Sequence, residues 1–156
     1  MKEQGGFTLL ELLVSIAIIF IIASIAQPLA KVTWRRTKEI ELRRNLRIIR
    51  EAIDQFKQDW DAKRISHLES GIANEETGFP KTLGVLVKGA PTGGPEDTKR
   101  RYLRKVPSDP MTNSTDWGFR CYKDEIDSNE WCGDDVYDIY TKGEGTALDG
   151  TKYMEW

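Results

Sequence analysis

The sequence predicts an α+β protein in which one long N-terminal helix, apolar in its first half, carries a small antiparallel sheet packed on its second half. Three observations predict it. Residues 7–30 contain a single charged residue, Glu11. Beyond them Leu42, Leu46, Ile49, Ile53, Phe56 and Trp60 recur every three or four residues, which is one stripe of a helix. After residue 64 that spacing gives way to chain punctuated by glycine and proline, with two runs rich in aromatic and β-branched residues, 117–122 and 136–141.

The apolar segment reads FTLLELLVSIAIIFIIASIAQPLA. As a helix it would extend about 36 Å, enough for a bilayer core. A secretory signal peptide places its charged region first and a small-residue cleavage site after the apolar run. Here the order differs, because residues 1–6, MKEQGG, end in Gly5-Gly6 before the apolar run begins. A peptidase acting at the glycines would remove this leader and leave the apolar helix on the mature chain. Lys31, Arg35, Arg36 and Lys38 outnumber the charges of the leader, so the positive-inside rule alone would put the C-terminal part in the cytoplasm.

Residues 31–64 continue the helix, to about Lys63. Arg43, Arg44, Arg47, Arg50, Glu51 and Asp54 fill the faces away from the apolar stripe. This stretch holds 11 basic and 6 acidic residues, whereas residues 106–156 hold 4 basic and 12 acidic. A net charge of only −2 therefore hides a lopsided distribution, suited to staggered packing of copies, or simply to a solvated face.

Residues 65–156 form the globular part. Gly71, Gly78-Phe79-Pro80 and 90–95 (APTGGP) mark loops around a short apolar run, Leu83 to Val87. The basic run Lys99 to Lys105 carries one aromatic residue, too little for a nucleic-acid surface, and an internal or intersubunit electrostatic role suits it better. Two cysteines and one histidine exclude zinc-type sites. There is no phosphate-cradling loop and no nucleophile elbow, and His67 lies in a polar segment, so no enzymatic activity is expected.

Gly5-Gly6-Phe7-Thr8-Leu9-Leu10-Glu11 resembles the prepilin processing motif of type IV pilins and type II secretion pseudopilins. The resemblance implies cleavage between Gly6 and Phe7 by a prepilin peptidase and N-methylation of Phe7. It also implies that Glu11, fifth in the mature chain, pairs with the Phe7 amine of a neighbouring copy and sets assembly register. The plainer account of Glu11 is an acid favoured by the dipole at a helix N-terminus. Pro28 falls where the family commonly has a proline. The globular part resembles the major pseudopilin of type II secretion through Gly78-Phe79-Pro80 with Leu86-Val87, through Val106-Pro107-Ser108-Asp109-Pro110, and through Asp135-Val136-Tyr137-Asp138-Ile139-Tyr140.

That resemblance implies a structural subunit, anchored in the inner membrane with its head in the periplasm. Many copies would assemble into a pseudopilus that drives protein export, alongside minor pseudopilins and an inner-membrane platform. The alternative is a type IV pilin or minor pilin of a surface fibre, serving adhesion, motility or DNA uptake. A periplasmic head lies in an oxidising compartment, so Cys121 and Cys132, which flank an acidic turn, are expected to form a disulfide; two reduced buried cysteines are the alternative. The family's calcium-organised C-terminal loop is altered here to 142–151, KGEGTALDGT. Glu144 and Asp149, with the hydroxyls of Thr146 and Thr151, are the candidate calcium ligands, against a glycine-rich turn with solvated acids.

Overall fold

Leu9–Asp61 form one helix, α1. The computed structural model describes residues 8–67, 71–94, 98–125 and 128–156, and within the first range the side chains of 25–29, Pro28 among them, lie outside the description. The chain divides into two compact units, Met1–Thr37 and Lys38–Trp156.

In the first unit the described side chains from Leu9 to Ile22 are exposed on every side, Phe20 at 71% and Leu9 at 77%. A helix apolar all round is stable only against lipid or other protein.

In the second unit the apolar stripe is the core. Leu42, Ile49, Ile53 and Phe56 are fully buried, with Leu46 and Trp60 nearly so. They pack in one cluster with Leu86, Trp117, Val136 and Ile139. The helix stops in a Schellman motif: Arg64 N donates to Asp59 O at 2.9 Å and Lys63 N to Trp60 O at 3.0 Å. Lys63, at φ 55°, occupies the left-handed position usually given to glycine.

The apolar run after Gly78 is a short helix, α2 (Leu83–Lys88), burying Leu83 and Leu86. The expected single sheet is two two-stranded ones. Strand β1 (Ala90–Pro91) pairs antiparallel with β2 (Lys99–Arg100), and β3 (Gly118–Arg120) with β4 (Asp138–Tyr140). In the second sheet Gly118 faces Tyr140 across the ladder. A Cβ on Gly118 would lie 2.2 Å from that ring, so only glycine leaves the ring room. A 3₁₀ turn, Tyr153–Glu155, follows β4.

The sheet is divided because buried carboxylates, rather than ladders, order the intervening chain. Asp109 accepts from Met111 N at 2.8 Å and from the hydroxyls of Thr112 at 3.1 Å and Thr141 at 2.5 Å. Asp135 accepts from Asn74 Nδ2, Thr77 Oγ1 and Tyr122 N at 3.0, 2.6 and 3.0 Å. Both acids are 1% exposed or less, and each satisfied oxygen avoids the desolvation cost of an unpaired buried group.

A third buried acid closes the far end of α1. Asp59, 1% exposed, takes Arg64 Nε on Oδ1 at 2.6 Å, and Arg100 Nε at 2.6 Å with the Tyr102 hydroxyl at 2.9 Å on Oδ2. An acid in the last turn of a helix opposes its dipole, and two guanidinium groups offset that. Arg100, from the basic run, is therefore used inside the head. Burial first, and the bond to Asp59 second, push the Tyr102 phenol well above its ordinary value.

Candidate assembly surface and C-terminal loop

Gly6 and Phe7 lie outside the described residues. The helix they precede starts with a capping interaction, in which Thr8 Oγ1 accepts the Glu11 backbone N–H at 3.3 Å. Thr8 is thus the N-cap and Glu11 the N3 residue, half of a capping box. The spacing Thr-x-x-Glu was visible in the sequence and is a second reason for an acid at this position. Glu11 itself is exposed, so its side chain is accessible to another molecule. Ser15 Oγ donates to the Glu11 carbonyl at 2.7 Å, keeping that hydroxyl within the helix. Among the described residues no helix is long and apolar enough to cross a membrane.

Within the head, Cys121 and Cys132 are joined by a disulfide across 11 residues of sequence. The enclosed loop starts from Cys121 N, which donates to Asp124 Oδ2 at 2.7 Å, and is tied at its far end by Trp131 Nε1 donating to Asp135 O at 2.6 Å. Phe119 meets Trp131 edge-on at 5.2 Å between centroids. His67 lies flat on Trp60, 3.8 Å between centroids, with Nε2 3.0 Å from the Trp60 carbonyl.

The four candidate calcium ligands are spread along a loop that is bonded to itself. Asp149 Oδ1 accepts the Thr151 N–H at 3.0 Å and its hydroxyl at 2.6 Å, and Asp149 Oδ2 takes Arg43 Nη2 at 2.7 Å. The Thr151 bonds, and then Arg43, hold the Asp149 carboxyl below its usual value. Thr151 Oγ1 also accepts from Trp156 Nε1 at 2.7 Å. Thr146 bridges Lys152 as an isolated antiparallel pair, and Glu144 is exposed. The carbonyls of Gly145, Ala147 and Thr151 accept backbone N–H groups of Tyr153, Gly150 and Ala147. Calcium requires six to eight oxygens turned toward it. With Asp149 held by Thr151 and by a guanidinium, and the Thr151 hydroxyl engaged on both sides, the residues as arranged do not fit the ion.

The first 27 residues match the family model described as the prokaryotic N-terminal methylation motif. The chain is also 30% identical over 118 residues to the type II secretion system core protein G of Pseudomonas aeruginosa, covering 72% of this chain and 71% of that protein. The chain belongs to the core protein G family. No solved structure matches it. The 118 residues related to core protein G exceed the N-terminal motif several-fold, so the relationship reaches well into the globular part. As a core protein G relative the chain is a pilin-like structural subunit, which accords with a helical segment apolar all round and a small α+β head.

Sequence reasoning missed the charged residues that organise the head. Arg43 and Arg50 were expected on solvated faces, yet Arg43 reaches the C-terminal loop and Arg50 reaches β4 and Trp156. Their signal, and that of Glu39, is position: at i, i+4 and i+11 they lie within about 40° of one another around α1.

Proposed function

We propose that the mature chain is the repeating, non-catalytic subunit of a periplasmic pseudopilus that drives protein export by type II secretion. The observation that carries this reading is the relationship to core protein G over 118 residues. The exposed apolar helix surface supports it, because copies that leave the membrane for a filament can cover that surface with one another's helices. The disulfide supports a periplasmic head against the count of flanking charges.

In this reading a prepilin peptidase cuts between Gly6 and Phe7, and Phe7 is then methylated. The new amine pairs with Glu11 of a neighbour. Burial in a filament strengthens that pair and penalises its absence, since an unpaired carboxylate in an apolar setting is costly. Minor pseudopilins and the inner-membrane platform are the remaining partners.

Intact-mass measurement on membrane-extracted protein should give a chain beginning at methylated Phe7. Glu11→Gln should leave membrane insertion unchanged and abolish filaments seen by electron microscopy. Deleting the gene should stop exoprotein release into the medium. Retained export with loss of surface fibres would reassign the chain to a type IV pilus.

A further inference from the structure

Strand β4 and the segment after it are fastened to α1 at three levels by charged side chains from one side of the helix. At the first, Glu39 Oε1 accepts the Leu148 N–H and the Tyr153 hydroxyl, both at 2.9 Å, and Glu39 is only 7% exposed. At the second, Arg43 donates to Asp149 and lies 4.0 Å from the centre of the Trp156 ring, a cation–π contact. At the third, Arg50 Nη2 donates to the carbonyls of Ile139 at 3.0 Å and Trp156 at 2.9 Å, while Nε reaches Asp138 at 2.6 Å. Thr151 joins the levels, linking Asp149 to the Trp156 indole.

We propose that Glu39, Arg43 and Arg50 do for this loop the work that a divalent cation would do, so that the head orders its C-terminal segment without calcium. A bound cation neutralises carboxylates and draws separate backbone stretches to one point. Here the Arg43 guanidinium neutralises Asp149, and the planar fork of Arg50 gathers two carbonyls and a carboxylate. Glu39 supplies the complementary acceptor for a backbone N–H that a metal could not satisfy. The helix itself provides the fixed point, because all three residues are spaced along a rigid element. A cation approaching Asp149 would meet the positive charge of Arg43 on the same carboxylate, and it would have to displace the Thr151 donors to gain inner oxygens. Internal ion pairs and metal coordination compete for the same atoms, and the pairs already hold them.

The test uses the full mature chain in detergent, stripped with chelator, and calcium chloride alone as probe. Titration calorimetry should show no saturable heat, and thermal unfolding followed by tryptophan fluorescence should give the same midpoint with millimolar calcium as with excess chelator. Arg43→Gln and Asp149→Asn should each lower that midpoint by a few degrees, and the double variant should fall by less than the sum of the two, because both remove the same pair. A saturable calcium site in the wild type that is lost in Asp149→Asn, or a midpoint raised by calcium and returned by chelator, would overturn the proposal. So would an Arg43→Gln midpoint equal to the wild type. Should Arg43→Gln fail to accumulate, the wild-type calorimetry and melting curves alone decide the question.

Discussion

Replacing Asp59 with alanine should loosen the head at the end of α1, and the structure allows the size of the effect to be worked out. The carboxylate is 1% exposed and holds Arg64, Arg100 and the Tyr102 hydroxyl at 2.6, 2.6 and 2.9 Å. Removing one partner of a fully buried ion pair costs about 3–5 kcal/mol, because the other charge is stranded. Here both guanidinium groups are about half exposed, at 54% and 50%, and can return to water, so the loss falls toward the lower end of that range. The half-buried Tyr102 hydroxyl loses its acceptor, about 1–3 kcal/mol. Removing an acid from a helix C-terminus returns about 0.3–1 kcal/mol. With the ion pair near 3 kcal/mol and the hydroxyl near 1, less the dipole term, the balance is a loss of about 3–4 kcal/mol. At about 4 °C per kcal/mol for a domain of this size, Asp59→Ala should melt about 12–15 °C lower. Asp59→Asn, which keeps an acceptor for Tyr102, should fall about half as far. Hydrogen exchange should locate the loosening in the β1–β2 hairpin, which Arg100 and Tyr102 tie to α1. A variant that melts within about 2 °C of the wild type, with unchanged exchange in that hairpin, would refute the reasoning.

Gly118→Ala pushes a Cβ against the Tyr140 ring, whose hydroxyl is held by the Asn129 carbonyl at 3.0 Å; overpacking of this kind costs about 1–3 kcal/mol, read as a lower urea midpoint with unchanged slope. Replacing both Cys121 and Cys132 with serine should destabilise the head by about 3 kcal/mol in the chain-entropy description of an 11-residue closure, measurable by urea unfolding beside the oxidised wild type. Tyr102 has a raised folded pKa, so its contribution is complete below the unfolded value of about 10 and is lost as pH rises beyond it; thermal melts taken upward from pH 9 should fall, and Tyr102→Phe should flatten that fall.

How much of this was legible in the sequence depended on the range of the interaction that creates each feature. The core stripe Leu42 to Trp60 repeats locally and was readable in full. The strand-like runs 117–122 and 136–141 gave the pairing of β3 with β4, but not its shortness, because Asp109 and Asp135 take over the ordering just outside it. The expected helix end at Lys63 is Asp61 in the structure, and no glycine announces the left-handed turn. Helix α2 was missed, since LGVLVK is too short for its period to separate helix from strand; only the Leu83–Leu86 spacing hinted at it. The acids that hold the head also have partners far along the chain, and those carry no local signal. Asp59 meets Tyr102 43 residues away, Asp135 meets Asn74 61 residues away, and Asp149 meets Arg43 106 residues away. The calcium expectation rested on oxygens in 142–151, and the sequence showed neither the turn that ties Thr151 to Asp149 nor the distant Arg43 on the same carboxylate. Thr8 and Glu11 were the reverse, a local motif whose capping role was overlooked beside the assembly role proposed for it.

The second half of α1 is crowded with obligations, and this bears on how the protein can change over generations. One side is committed to the core, and the residues at 39, 43 and 50 are committed to the C-terminal loop. Inserting or deleting one residue between 39 and 50 would turn part of that set by about 100°, so length is fixed there as firmly as identity. What remains open to drift is a narrow strip that includes Arg44, Arg47, Glu51 and Asp54. A lineage can repaint that strip, reversing a charge or adding an aromatic, while leaving the folded head untouched. Divergence among relatives in what they dock against should therefore concentrate on these few positions, as a tag carried on an otherwise invariant stem.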